Sequence, residues 1–122
     1  MADELQYTLS GSLTNGKLSD PWKSETVKVT QAAQGAHLPV VSVGTSEEDL
    51  AVGDVGTVGF LWVKNLDAAN YVTYGPKSAG AMIAFGRIKS GEVHLIRLEP
   101  GVTLRWQANT AAVKVQTRLY EN

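Results

Sequence analysis

The sequence predicts an all-β protein, built as an antiparallel β-sandwich of about 8–10 short strands with little or no helix. Apolar residues recur at every second position through most of the chain, which is the period of a half-buried strand. Glycine, proline, asparagine and aspartate separate these runs, as turns between short strands require. No stretch carries a convincing helical stripe. Two packed antiparallel layers of this kind are typical of a jelly roll, which is the expected architecture.

The N-terminal quarter predicts two strand-like runs and a tight turn. Residues 5–13 alternate between apolar and polar side chains, which indicates a half-buried strand. Asn15-Gly16 favours positive φ at both central positions of a hairpin turn, so we expect the chain to fold back there. Asp20-Pro21 then predicts a break in the strand. The alternation of residues 26–30 predicts the next strand.

The middle of the chain contains the most apolar predicted strand. Residues 38–43 predict an edge strand. Thr45 and Glu48 have the spacing of a helix capping box, which predicts at most one short helical turn. Residues 58–64 are apolar at both parities, as is typical of a central strand covered on both faces. Residues 65–70 predict a turn.

The C-terminal half predicts a series of short strands. A strand over residues 71–74 is expected to end at Gly75-Pro76, and a glycine-rich stretch follows. In the later strands, alternation places Trp106 on the packed face. Four further strands are predicted over residues 82–88, 92–98, 102–108 and 112–120.

Length and composition favour one globular domain over residues 1–122, in which residues 1–23 form an extended arm or hairpin. The 11 basic residues are scattered and the formal net charge is −1, so no nucleic-acid partner is expected. The chain has no cysteine, which excludes disulfides and thiolate chemistry. Because no run resembles a membrane span or a secretory signal, we expect a protein made and folded in a cytoplasm, with no membrane partner.

No motif predicts an active site, so the chain is expected not to be an enzyme and to bind no cofactor or metal. His37 and His94 lack metal-ligand spacing. The acidic cluster of residues 47–49, with Asp54 beyond it, is interpreted as a solvated loop, and calcium binding is the weaker alternative. A Ser-His-acid triad stays open as a further alternative, because its members need only meet in space.

Four residues are candidate partner contacts: Trp22, Arg105, Lys114 and Arg118. Trp22 follows Pro21 in a predicted connection and is the best candidate for an exposed anchor. If the last two strands pair, Arg105 joins Lys114 and Arg118 in a basic ladder that could dock onto an acidic partner. A solvated face is the alternative interpretation. Phe60 and Trp62 share one parity of the central strand and are assigned either to the core or to a subunit interface.

The chain also resembles small structural proteins encoded among the virion genes of tailed bacteriophages. The resemblance rests first on residues 55–67, which read Val-Gly-Thr-Val-Gly-Phe-Leu-Trp-Val-Lys-Asn-Leu-Asp. It covers about half of the chain, and its motifs belong to strands and turns. It continues through Asn70-Tyr71-Val72, Gly75, Ser90-Gly91-Glu92, Leu98, Pro100-Gly101 and Asn109-Thr110-Ala111.

This resemblance implies a non-enzymatic virion protein built as a β-sandwich. The implied role is a capsid decoration or cement subunit that docks on the major capsid protein and stabilises the shell, or else a tail or neck component. It further implies a homo-oligomer, with a trimer favoured on a capsid. Residues 1–23 lie outside the resemblance and are expected to reach a neighbouring subunit, with Trp22 as their anchor.

Two other functions compete with this interpretation. The first is a carbohydrate-binding or receptor-binding module, in which exposed Trp22 and Tyr74 would stack on sugar rings. The second is a small hydrolase, which ranks last because the sequence indicates no convergent nucleophile and base.

Overall fold

The structure, a computed structural model, describes residues 3–122 and divides the chain into two compact units. The first ends at Ala32, and the second comprises Ala33–Asn122. Throughout the described residues the regular structure is β-strand, which confirms the all-β prediction. The first two residues of the expected arm lie outside the described part of the chain.

The N-terminal unit is a two-stranded antiparallel ribbon with one irregularity. Thr8 and Thr26 share a hydrogen bond between their hydroxyls, whereas Leu9 exchanges hydrogen bonds with Ser24. Glu25 is therefore an extra residue in the returning strand, which is a β-bulge. Its strands are β1 (Leu5–Tyr7), β2 (Ser10–Asn15), β3 (Leu18–Lys23) and β4 (Val27–Val29), with β1 paired to β4 and β2 paired to β3.

Two details of this ribbon differ from the sequence prediction. The tight turn is Gly16–Lys17, one residue later than predicted, and only Gly16 of this pair has a positive φ (57°). Pro21 does not break the strand, because β3 continues to Lys23. Pro21 lies opposite Ser12, at a pair where the backbone nitrogen faces away from the partner strand, so no hydrogen bond is lost. With β4 included, the ribbon extends beyond residue 23.

The C-terminal unit is a sandwich of two antiparallel sheets. In the first sheet, β8 lies between β12 and β14, and β5 and β6 share the far edge of β14. In the second sheet, β13 lies between β7 and β9, and β10 and β11 share the far edge of β9. The strands are β5 (Ala36–His37), β6 (Val40–Val43), β7 (Glu48–Asp49), β8 (Val58–Asn65), β9 (Val72–Ser78), β10 (Ala81–Met82), β11 (Gly86–Ile88), β12 (Val93–Arg97), β13 (Leu104–Ala108) and β14 (Val113–Glu121).

This strand order is that of a jelly roll. Apart from β5–β6, which share one edge, and β9–β10–β11, consecutive strands pass alternately from one sheet to the other. The core lies between the sheets and is filled from alternate positions of each strand. Trp106, only 2% exposed, is its largest side chain, as predicted. The other most buried side chains of this core are Val43, Leu61, Val63, Val72, Ile88, Ala108, Val113, Val115 and Leu119.

One local prediction for this unit is wrong: Gly75-Pro76 lies inside β9 and does not end it. Residues 45–48, where at most one helical turn is expected, form none, and Glu48 pairs with Trp106 in the second sheet. The last two strands, β13 and β14, belong to different sheets, so the pairing on which the basic ladder depends is absent. The central position predicted for residues 58–64 is confirmed by β8.

Candidate binding surfaces

One face of the N-terminal ribbon carries most of its large apolar side chains, with Asn15 and Asp20 among them, and lacks a cover within its own unit. Residues that lie opposite each other in a ladder share a face. Large apolar side chains on this face remain strongly exposed to solvent. We call this set the apolar ribbon face: Leu9 (45% exposed), Leu13 (50%), Leu18 (55%), Trp22 (53%) and Val27 (36%).

The bulge is what gathers these side chains on one side. Tyr7 lies opposite Val27, and Gly11 lies opposite Trp22. Tyr7 and Gly11 have the same parity, but Val27 and Trp22 do not, so a regular return strand would point them to opposite faces. The extra residue, Glu25, compensates for this difference. Trp22, predicted from the sequence as an exposed anchor, is exposed and lies on this face.

A second candidate surface is the outer side of the first sheet. Phe60 and Trp62 lie there, outside the core between the sheets. The guanidinium carbon of Arg97 lies 4.4 Å from the Phe60 ring centroid, and that of Arg118 lies 5.3 Å from the Trp62 ring centroid. Both distances are within the range of cation–π attraction. Lys114 is exposed on the same side of β14.

Arg105, the fourth candidate contact, lies on the second sheet in a different environment. Its Nε donates a hydrogen bond to Asp49 Oδ1 at 2.8 Å, and its Nη1 donates one to Glu47 Oε1 at 3.2 Å. The hydrogen bond from Arg105, followed by the charge of Lys77, lowers the pKa of Asp49. The structure therefore separates Arg105 from Lys114 and Arg118, and the predicted ladder of all three does not form.

A cleft of about 230 Å³, lined mainly by apolar side chains and also by Arg97 and Glu99, opens beside Tyr74 in the second unit. The hydroxyl of Tyr74 lies 3.1 Å from Nδ1 of His94, and Nε2 of His94 lies 3.7 Å from Oε1 of Glu92. Burial raises the pKa of Tyr74. Further apolar lining comes from Pro76, Phe85, Ile96, Leu98, Val102 and Leu104.

The remaining candidates from the sequence are resolved by their contacts. Neither His37 nor His94 is hydrogen-bonded to a serine or threonine hydroxyl among residues 3–122, so a Ser-His-acid triad is not assembled there. No group of three metal-ligating side chains converges in the same range. Two acids of the predicted acidic loop, Glu47 and Asp49, form ion pairs with Arg105. No helix capable of crossing a membrane occurs within the described chain.

Sequence reasoning missed Lys64 and Arg97, which lie on the same outer side as Arg118. The available signal was the two-sided apolar pattern of residues 58–64, which indicated that the outer side of this strand is also covered or bound. The same reasoning missed Leu18, because the predicted turn was displaced by one residue and such a slip reverses the faces of a strand.

Comparison of this chain with protein-family models, curated proteins and solved structures finds no match.

Proposed function

We propose that this chain is a non-enzymatic structural protein of a bacteriophage virion. Its proposed role is a capsid decoration subunit that docks on the major capsid shell and stabilises it. In this proposal the subunit assembles as a trimer, and the apolar ribbon face of one copy packs against a neighbouring copy. As a variant of this proposal, the chain uses the same contacts in the tail or neck of the virion.

The apolar ribbon face is the observation that carries the proposal. An isolated two-stranded ribbon is at best marginally stable in water, so a ribbon with one apolar side needs a surface to cover it. Its five large apolar side chains are each 36–55% exposed, and a contiguous exposed apolar patch on a monomer often marks an interaction site. In a symmetric oligomer, a second copy of the chain would cover the apolar ribbon face.

The resemblance to phage virion proteins adds support at the level of the fold. Its best-matched segment, residues 55–67, forms the central strand β8 and the turn after it. Asn65 and Asp67 in this segment build the turn with their side chains. The jelly roll itself occurs in viral capsid proteins and also in lectins, so the fold is compatible with more than one binding role.

A carbohydrate-binding function is the second candidate, and the exposed indole of Trp22 is what favours it. Tyr74, the other stacking residue expected for this function, is only 7% exposed and its hydroxyl contacts His94. A sugar ring could therefore contact only a small part of Tyr74. Under this alternative, the intact chain binds glycans and loses them on Trp22→Ala.

The proposal is tested on particles of the phage that encodes this chain. The double variant Leu13→Ser and Trp22→Ser makes the apolar ribbon face polar, whereas Thr14→Ala and Ser19→Ala alter the opposite side of the same ribbon as a control. We expect cryo-electron microscopy to show repeated copies of the wild-type and control chains on the shell. We expect the double variant to be lost from it. Particles without the wild-type chain would refute the proposal.

A further inference from the structure

The outer side of the first sheet carries four cations around aromatic and aliphatic side chains. Register places Arg118 opposite Trp62 and Lys64 opposite Gln116, so these side chains alternate across β8 and β14 on one side. Arg97 lies on the same side of β12, opposite Phe60. We call Lys64, Arg97, Lys114 and Arg118 together the basic face.

The cations of the basic face have no acidic neighbour at the outward positions up to Tyr120. These positions of β8, β12 and β14 contain cationic, aromatic, aliphatic and glutamine side chains. Glu121, beyond the register shift at the end of β14, accepts hydrogen bonds from the backbone N–H groups of Gly35 and Gly56. Among residues 3–122, none of the four cations takes part in an ion pair. Arg105 on the second sheet provides the contrast, because Glu47 and Asp49 both neutralise it. The basic face therefore retains positive charge that the unit itself does not balance.

Two of the cations are also held in place. Cation–π contact with Phe60 restricts the guanidinium group of Arg97, and contact with Trp62 restricts that of Arg118. Arg97 uses one donor, Nη1, on Asn122 Oδ1 at 3.2 Å. A restrained guanidinium loses less conformational entropy when it binds a carboxylate, and its fork geometry matches both carboxylate oxygens.

We propose that the basic face is a docking surface for an acidic surface of another protein. Glutamate and aspartate side chains of that partner pair with the four cations, and apolar side chains of the partner cover the aliphatic residues between them. The inference concerns a different surface from the apolar ribbon face, and it holds whether or not the chain belongs to a virion.

The apolar component distinguishes a protein partner from a nucleic acid. Val40 is 57% exposed and Val93 is 48% exposed at opposite margins of the basic face, where a phosphate backbone would leave them uncovered. A mixture of aromatic, arginine and aliphatic side chains is typical of protein–protein interfaces. The net charge of −1 also provides no long-range attraction for a polyanion.

The three tryptophans allow the site to be tested on the intact chain. Poly-L-glutamate, which offers carboxylates without phosphate or sugar, is titrated into ¹⁵N-labelled protein while the three indole resonances are followed by NMR. We expect the Trp62 resonance to move, because the guanidinium carbon of Arg118 lies 5.3 Å from that ring centroid. The resonances of buried Trp106 and of Trp22 in the ribbon should stay in place.

Matched variants identify the cations that bind. The double variant Lys64→Gln and Arg118→Gln should weaken the binding of poly-L-glutamate roughly tenfold or more, since each removes a charge-assisted hydrogen bond. Arg87→Gln is the control, because Arg87 also stacks on an aromatic ring, lying 3.9 Å from the Tyr71 centroid, but in the second sheet. Its affinity for poly-L-glutamate should equal that of the wild type, and thermal melts of all variants check that each is folded.

Three outcomes would overturn the inference. The first is an unmoved Trp62 resonance up to millimolar concentrations of glutamate residues. The second is equal weakening by Arg87→Gln, which would indicate attraction to the whole molecule and not to this surface. The third is tighter binding of duplex DNA than of poly-L-glutamate at equal charge and salt, with the same shift of Trp62, which would assign the basic face to nucleic acid.

Discussion

At the scale of single residues, a buried amide organises the turn that follows the central strand. Asn65 is 1% exposed, and its Nδ2 donates hydrogen bonds to the carbonyl oxygens of Asn70 and Ile88, both at 2.9 Å. Its Oδ1 accepts a hydrogen bond from the backbone N–H of Asp67. Asp67 in turn accepts hydrogen bonds from Asn70 and Ala69, which lower the pKa of its carboxyl group. These contacts explain why the turn requires amide and carboxylate side chains.

Replacing Asn65 with leucine, which has a similar shape, should destabilise the protein by about 2–4 kcal/mol. The cause is that the carbonyl of Ile88 would lose its buried donor while remaining out of reach of water. Gln116→Leu is the control, because Gln116 is only half-buried on the outer side of β14. Denaturant unfolding measures both variants. Equal free energies of unfolding for Asn65→Leu and the wild type would contradict this role.

At the scale of elements, β9 depends on a glycine because the segment that follows β10 approaches its backbone closely. A Cβ atom at Gly75 would overlap the carbonyl oxygen of Ile83, in the segment between β10 and β11. That segment folds back along β9, since Ile83 N–H donates a hydrogen bond to Pro76 O and Phe85 N–H donates one to Tyr74 O. The glycine thus permits the close backbone approach that holds this edge of the second sheet.

We expect Gly75→Ala to lower the free energy of unfolding by at least 1–3 kcal/mol more than Gly44→Ala, which is roughly the cost of overpacking. At Gly44 the nearest atom to an added Cβ is Glu48 Oε2, at an ordinary 3.8 Å. Thermal and denaturant melts of the two variants provide the comparison. Equal free energies of unfolding would mean that the segment between β10 and β11 moves aside without loss of stability.

At the scale of the whole molecule, the sequence predicts strands and core positions better than it predicts neighbours. Alternation is a property of each strand alone, so the burial of Trp106 and the central place of residues 58–64 could be predicted from the sequence. The order of the strands in a sheet depends on which distant strands pair with each other, and no local sequence pattern determines this pairing. For this reason the sequence leaves open whether Arg105 and Arg118 share a ladder, and only the fold shows that they lie in different sheets.

The binding surfaces were partly predictable for the same reason. The exposure of Trp22 followed from its place beside a proline. The rest of the apolar ribbon face did not follow, because it depends on a turn displaced by one residue and on the bulge at Glu25. The basic face was missed as a set, since Lys64, Arg97 and Arg118 come from three strands that only the fold brings together.

The mass of the purified chain in solution, measured by light scattering, tests most directly whether the apolar ribbon face is covered by another copy. For a protomer of 13.1 kDa, we expect the mass of a trimer for the wild type and for the Thr14→Ala, Ser19→Ala control. The Leu13→Ser, Trp22→Ser variant should have the mass of a single chain. A wild-type protein that stays at 13.1 kDa at all concentrations would contradict the account.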